Sequence, residues 1–158
     1  GLKQLAENNI QLIWQTGKGY FETAKQQTTP FSDKNIFAFD FISKMDLAYA
    51  SADIVISRAG ASSVSELCNI GMPCILVPSP NVAEDHQTKN ANAIVEKKGA
   101  ILLKEYELDE KFKSTFSNLI SNEKLQNELG TQIKKLAKPN ATKEIVNEII
   151  KLIKKIKS

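Results

Sequence analysis

Residues 53–77, with the sequence DIVISRAGASSVSELCNIGMPCILV, contain the pattern that decides the fold. Two short and almost wholly apolar runs, 54–56 and 75–77, flank a stretch with helical spacing that closes at Gly71 and Pro73. Continuous apolar strands of this length are typical of a parallel sheet that is covered on both faces. The stretch therefore predicts a strand–helix–strand unit of an α/β fold.

The same alternation continues on both sides of this unit. It predicts strands at 10–15, 35–39, 53–57, 73–77 and 100–103, and helices at 2–8, 18–27, 43–51, 63–70 and 86–98. Three further helices follow with no strand between them, at 108–120, 122–137 and 141–156. We therefore expect one Rossmann-like domain over 1–158, with helices on both faces of a parallel sheet and a helical extension from residue 105. Because the chain opens within a helix, we also expect it to be a piece of a longer protein.

The composition excludes several classes of protein. The chain has 158 residues, 42% hydrophobic and 25% charged, which is neither disordered nor fibrous. Its apolar runs are too short to span a membrane, and no signal peptide is visible. Cys68 and Cys74 form no CxxC pair and indicate free thiols in a reducing cytosol, while His86 is the only histidine. These features predict a soluble intracellular domain without a metal or other cofactor.

The charge is concentrated at one end of the chain. The net charge is +3, and residues 138–158 alone carry six lysines and two glutamates. A nucleic-acid partner would need a broader basic face with interleaved aromatic residues, so none is expected. The last helix places isoleucines on one side and lysines on the other. It is either a solvated surface helix or one that meets another domain or an anionic membrane surface.

The loop at 58–63 has the features of an anion site. Small residues lead from a strand into a helix, whose first backbone N–H groups and positive dipole end suit phosphates. Arg58, the only arginine in the chain, directly precedes these small residues. Ser63 and Glu66 have the spacing of a capping box, so a plain tight turn with a capped helix is the alternative. The loop fits neither the dinucleotide fingerprint nor the P-loop.

Two other strand ends have polar or aromatic groups. In the segment 78–90, the side chains of His86, Gln87 and Asn90 share a helical face and suit the hydroxyls of a sugar. A capped helix start explains that segment equally well. Phe41 and Ile42 could hold a nucleobase, with Ser43 capping the next helix, although core packing is the alternative. Because parallel strands end at one edge, the three junctions together predict a pocket for a nucleotide-diphosphate sugar.

These motifs resemble the donor-binding domain of the MurG family of bacterial N-acetylglucosaminyltransferases. The resemblance rests on separated motifs that keep their order: WQTGK at 14–18, FISKM at 41–45, RAGASSVSE at 58–66, GMP at 71–73 and DHQTKNA at 85–91. It covers most of 10–104, whereas 105–158 match only in helical character. The family often has Leu-Thr after the loop alanine, where this chain has Ser62 and Ser63.

The resemblance implies the C-terminal half of a GT-B glycosyltransferase and a role for each matched residue. The backbone of Ile42 beside Phe41 would read uracil, Glu66 would accept hydrogen bonds from the ribose, and Arg58 would approach the diphosphate or the nearby ribose. The substrate-binding set that it implies is Phe41, Ile42, Met45, Arg58, Ala61, Ser62, Ser63, Glu66, His86, Gln87 and Asn90. His86, Gln87 and Asn90 would contact the N-acetylglucosamine.

For the whole protein, the resemblance implies transfer of N-acetylglucosamine from UDP-N-acetylglucosamine to lipid I, giving lipid II with inversion. It would act as a peripheral enzyme on the cytoplasmic side of the plasma membrane, at an anionic surface. The family's Gly-Gly-Ser loop and an acceptor-binding half with the catalytic base would precede residue 1, so we expect no turnover by this chain alone. A nucleotide-sugar epimerase, a stand-alone donor-binding subunit and a non-catalytic nucleotide-binding module are the alternatives.

Overall fold

The structure is a computed structural model that describes residues 1–80 and 85–156. The chain divides into two compact units, Gly1–Ala52 and Asp53–Ser158. Strands and helices alternate in both units, and all strand pairs are parallel, which confirms the α/β class. The strands are shorter than predicted, because the apolar runs continue past the last residues that pair with a neighbour. A single domain over 1–158 stays a prediction.

The first unit contains a two-stranded sheet with helices before and after each strand. Its elements are α1 (Leu2–Glu7), β1 (Leu12–Gln15), α2 (Phe21–Thr28), a 3-10 segment (Thr29–Lys34), β2 (Ile36–Phe39) and α3 (Met45–Ala50). Leu12 lies opposite Ile36 in the parallel register of β1 and β2. Ala24 of α2 and Ile36 are fully buried, so helix and sheet share a small core.

The second unit is built on a three-stranded parallel sheet in the order β3–β4–β5. Its elements are β3 (Val55–Ser57), α4 (Ala61–Ile70), β4 (Cys74–Leu76), α5 (His86–Val95), β5 (Ile101–Leu102), a 3-10 turn (Glu105–Glu107), α6 (Leu108–Ile120), α7 (Glu123–Lys134) and α8 (Ala141–Ile156). Because β4 has a partner strand on each side, all three of its residues are fully buried.

The helices after β5 pack onto this sheet. Ile75 and Val77 form one buried cluster with Leu103, Leu119 of α6 and Leu129 of α7. Burying an aliphatic side chain of this size contributes about 1.5–3 kcal/mol. The residues that follow β5 are therefore part of the core of the second unit as far as α7.

Two glycines allow α4 and α7 to approach closely. Gly71 ends α4 in the left-handed conformation, with φ 76°, as the Gly71–Pro73 pattern predicts. A Cβ at Gly130 of α7 would lie 2.7 Å from the carbonyl oxygen of Gly71. Only a glycine at position 130 therefore permits this backbone contact.

Helix α8 presents a long apolar face to solvent. Its side chains at Ile145, Val146, Ile149, Ile150, Leu152 and Ile153 are 44–61% exposed. No helix in the described ranges is both long enough and apolar enough to cross a bilayer. Whether the face of α8 is solvated or covered by another surface stays a prediction.

The predicted cap of α3 is wrong. The helix begins at Met45 with Lys44 at the N-cap position, and no side chain of the described residues caps it there. Ser43 lies one residue too early, because the chain turns into the helix only after Lys44.

Candidate functional site

Helix α4 begins directly after the loop that follows β3. Gly60 is its N-cap residue, in an extended conformation with φ −64° and ψ 148°, and no described side chain caps this end. The first hydrogen bond of the helix runs from the N–H of Val64 to the carbonyl of Gly60, at 2.9 Å. The N–H groups of Ala61, Ser62 and Ser63 precede that bond, so they have no acceptor within the helix. Free N–H groups and a helix dipole in this arrangement are the features that bind anions in other proteins, and such binding here stays a prediction.

The predicted capping box at Ser63 and Glu66 is therefore wrong. A capping box needs the serine at the N-cap, whereas Ser63 is the third residue of α4 and Glu66 the sixth. The N-cap lies three residues earlier, at Gly60, whose extended backbone leads into the helix without a side-chain cap. Glu66 consequently lies in the second turn, on the same side as Ser62 at the i, i+4 spacing.

Arg58 reaches across the carboxyl end of the neighbouring strand. Its Nη1 lies 2.5 Å from Oε2 of Glu105, which follows β5. Longer contacts of 3.4 and 3.5 Å join the same Nη1 to the carbonyl oxygens of Val77 and Pro78, after β4. The arginine thus connects the ends of all three strands of this sheet.

Two amide side chains of α5, those of Gln87 and Asn90, bond to neighbouring loops. Gln87 Oε1 accepts the N–H of Ser79 at 2.9 Å, and Asn90 Nδ2 donates to the carbonyl of Ala59 at 3.1 Å. An amide has more than one hydrogen-bonding group, and Gln87 Nε2 and Asn90 Oδ1 have no partner among residues 1–80 and 85–156. Asn90 thus contacts the loop at 58–63 and Gln87 the loop after β4, while their predicted role in one ligand site stays a prediction.

His86 is the first residue of α5 and is exposed. Asp85 precedes it at the N-cap position with φ 55°, a left-handed conformation that aspartate tolerates better than most residues. Residues 81–84 of the predicted sugar-binding segment lie outside the described residues.

The predicted base-binding residues belong to the first unit. Phe41 is 68% exposed, and the N–H of Ile42 donates to Oε1 of Gln15 at 2.8 Å. Met45 is the first residue of α3. That these three residues share one site with α4 and α5 stays a prediction.

Sequence reasoning missed two polar residues, Gln15 and Glu105. Both stand at or just after the carboxyl end of a strand, β1 and β5 respectively, where ligand-binding groups of parallel sheets are found. A position at the end of a predicted strand could therefore have marked Gln15 and Glu105 as candidate site residues. The group that each of them bonds depends on tertiary contacts.

A comparison with protein families decides the classification of this chain. Residues 1–145 match the model described as "Glycosyltransferase family 28 C-terminal domain". The chain belongs to this family. The match continues past residue 104, so the likeness in the helical extension exceeds what the motifs alone predicted.

The names of individual relatives of this family 28 domain support the same classification. It is 60% identical over 155 residues to a protein of Flavobacterium psychrophilum named UDP-N-acetylglucosamine–N-acetylmuramyl-(pentapeptide) pyrophosphoryl-undecaprenol N-acetylglucosamine transferase, covering 98% of this chain and 41% of the relative. A protein of the same name from Christiangramia forsetii is 49% identical over 96% of this chain and 40% of its own length. The chain thus spans about two fifths of these relatives.

A solved structure resembles the domain in three dimensions. The crystal structure of Acinetobacter baumannii MurG superimposes with a TM-score of 0.77 at 27% identity, covering 96% of this chain and 49% of that one. The fold is therefore that of the C-terminal GT-B half, as the motifs predicted.

An open depression of about 740 Å³ lies at the opposite edge of the second unit. It is lined by Asp53, Gly71 and Pro73, which precede β3 and β4, and by Lys134 of α7. It is therefore separate from the strand ends that carry Arg58 and Gln87. Among residues 1–80 and 85–156, no group of three His, Cys, Asp or Glu side chains could hold a metal ion.

Both thiols of this family 28 domain should be unreactive in the folded protein. Cys68 and Cys74 are free and buried, and burial, with a smaller contribution from Cys68, raises the pKa of Cys74 to about 12. At pH 8 about one Cys74 in ten thousand is then the reactive thiolate. We expect Ellman's reagent to label neither thiol readily in the native protein and both after unfolding in guanidinium chloride. Fast native labelling of either cysteine would contradict this buried environment.

Proposed function

We propose that the chain is the donor-binding part of an enzyme that transfers N-acetylglucosamine from UDP-N-acetylglucosamine to the undecaprenol-linked acceptor lipid I, giving lipid II. The observation that carries this proposal is the uncapped start of α4 beside the amides of Gln87 and Asn90. This arrangement supports the proposal, because hydrogen-bond donors suited to phosphates and amides suited to sugar hydroxyls lie at one sheet edge. The names of the relatives support the same donor and acceptor.

The start of α4 suits the diphosphate of the donor. Three N–H groups at Ala61, Ser62 and Ser63, with the helix dipole, offer hydrogen bonds to phosphate oxygens. Arg58 adds positive charge at the same edge of the sheet. Preorganised donors of this kind stabilise the charge that develops on a departing diphosphate.

The groups on α5 suit the sugar. Gln87 Nε2 donates hydrogen bonds and Asn90 Oδ1 accepts them, so together they match hydroxyls, which do both. His86, on the first turn, is proposed to contact the same sugar. Glu66 is proposed to bind the ribose, and Phe41, Ile42 and Met45 the uracil.

The proposed reaction breaks the bond between the anomeric carbon and the phosphate oxygen, whose electron pair leaves with UDP. The acceptor hydroxyl forms the new bond to the opposite face of that carbon and loses its proton to a base. We assign the base and the acceptor site to the part of the relatives that this chain does not span. Peripheral attachment to the cytoplasmic face of an anionic membrane belongs to the same proposal.

Thermal denaturation tests this function. We expect UDP and UDP-N-acetylglucosamine at about 100 times Kd to stabilise the chain by about 2.7 kcal/mol, which raises Tm by about 5–10 °C. ADP should give no such shift, and Arg58→Ala and Glu66→Ala should each remove half or more of it. Equal protection by ADP would indicate a general nucleotide-binding module, while turnover by this chain alone would contradict the assignment of the base.

A further inference from the structure

The ion pair between Arg58 and Glu105 holds the arginine in an extended position over β4. Because β4 lies between β3 and β5, the side chain of Arg58 must pass the end of β4 to reach Glu105. Its contacts with the carbonyls of Val77 and Pro78 mark that path. Glu105 stands on a 3-10 turn that Glu107 fixes by accepting the N–H of Lys104 at 3.0 Å. Glu105, which holds the arginine, is therefore on a backbone turn that is itself fixed by a hydrogen bond.

The residues beside these contacts connect to the sugar-binding amides. Ser79, which follows Pro78, donates its N–H to Gln87, and Ala59, which follows Arg58, accepts from Asn90. Arg58, which begins the loop after β3, and α5 thus both contact the loop after β4, and α5 also contacts the loop after β3. A shift of the guanidinium would move both loops, and with them the side chains of Gln87 and Asn90.

We propose that Glu105 is a positioning residue for donor binding, which acts through Arg58. The inference rests on the proposed function of the site and adds a residue to it. All hydrogen bonds that Arg58 makes in the described part of the chain come from Nη1, so Nη2 and Nε stay available while Glu105 holds the side chain. In this proposal Glu105 acts on the donor only through its bond to Arg58.

The ion pair fixes the position of the Arg58 side chain and contributes little to the folding stability of the chain. Arg58 is 52% and Glu105 41% exposed, and ion pairs this exposed contribute little to folding. However, if a mobile arginine side chain becomes ordered only when the ligand binds, the lost conformational entropy weakens binding by about two- to tenfold. Glu105 supplies that order in advance.

Isothermal titration with UDP-N-acetylglucosamine tests this role. We expect Glu105→Gln to weaken binding by about three- to tenfold, with Tm almost unchanged. In an Arg58→Ala background the same substitution should have no further effect, because Glu105 acts only through the arginine. Glu110→Gln is the matched control: it removes the same charge from an exposed position nearby and should leave binding unchanged.

Three outcomes would overturn the inference while wild-type binding upheld the proposed function. The first is an affinity of Glu105→Gln equal to that of the wild-type chain. The second is tighter binding by Glu105→Gln, which is expected if Glu105 only competes with the donor for Arg58. The third is an effect of Glu105→Gln that is just as large in the Arg58→Ala background. A wild-type chain that binds neither UDP nor the sugar nucleotide would overturn the proposed function, and with it the role of Glu105 in donor binding.

Nuclear magnetic resonance tests the anchor without any ligand. Arg58 is the only arginine, so its Nε–H gives a single side-chain signal. We expect this signal to shift and to exchange faster with water in Glu105→Gln but not in Glu110→Gln. An unaltered signal in Glu105→Gln would show that Glu105 does not hold the guanidinium, and would overturn the inference whatever the binding result.

Discussion

Ala61→Pro is expected to weaken UDP binding at least about tenfold while leaving the fold intact. Proline removes the N–H of the first residue of α4, and a hydrogen bond to a charged group contributes about 1.5–3 kcal/mol. The helix tolerates the change, because that N–H has no partner within it and proline favours the first helical position. Gly60, with ψ 148°, already has the extended conformation that a residue before proline requires. Isothermal titration of UDP and a thermal melt measure both effects.

Two comparisons make this result specific to the phosphate. Ala61→Val adds a similar bulk but keeps the N–H, so it should retain most of the UDP affinity. Uridine, which has no phosphate, should bind Ala61→Pro as it binds the wild-type chain. If Ala61→Pro bound UDP normally, or if Ala61→Val lost as much affinity, the start of α4 would not be the diphosphate site.

Glu66→Ala should have a comparable effect at the ribose. Glu66 lies four residues, about 6 Å, along α4 from Ser62 and on the same side of the helix. A carboxylate that accepts a hydrogen bond from a ribose hydroxyl contributes about 1.5–3 kcal/mol, so Kd for UDP should rise about tenfold to a hundredfold. Titration of UDP into both proteins gives this ratio.

The comparison of UDP with 2′-deoxy-UDP identifies the hydroxyl. The wild-type chain should prefer UDP, and this preference should disappear in Glu66→Ala because the acceptor of the hydroxyl is gone. Glu128→Ala removes another exposed carboxylate, on α7, and should change neither affinity. A preference for UDP that survived in Glu66→Ala would place the ribose elsewhere.

Some features of the site depend on neighbouring residues and others on residues far apart in the chain. The helix start after β3 was predicted because small residues follow an apolar strand, and this local pattern needs no tertiary information. The cap at Ser63 was wrong because the exact first residue of a helix depends on backbone conformation at Gly60, which permits an earlier start. The ion pair of Arg58 with Glu105 joins residues 47 positions apart, and no local signal connects them.

The α/β class, the order of elements and the family were predictable from the amino-acid sequence, because apolar periodicity and the order of motifs can be read along the chain without knowing which distant residues meet. Which groups of each polar side chain are already bonded could be seen only in the folded chain. Gln87 and Asn90 each hold a loop with one end of the amide, and Arg58 is held by Glu105. The physical reason is that strand order brings β3, β4 and β5 side by side, and the side chains at their ends then meet across long stretches of chain.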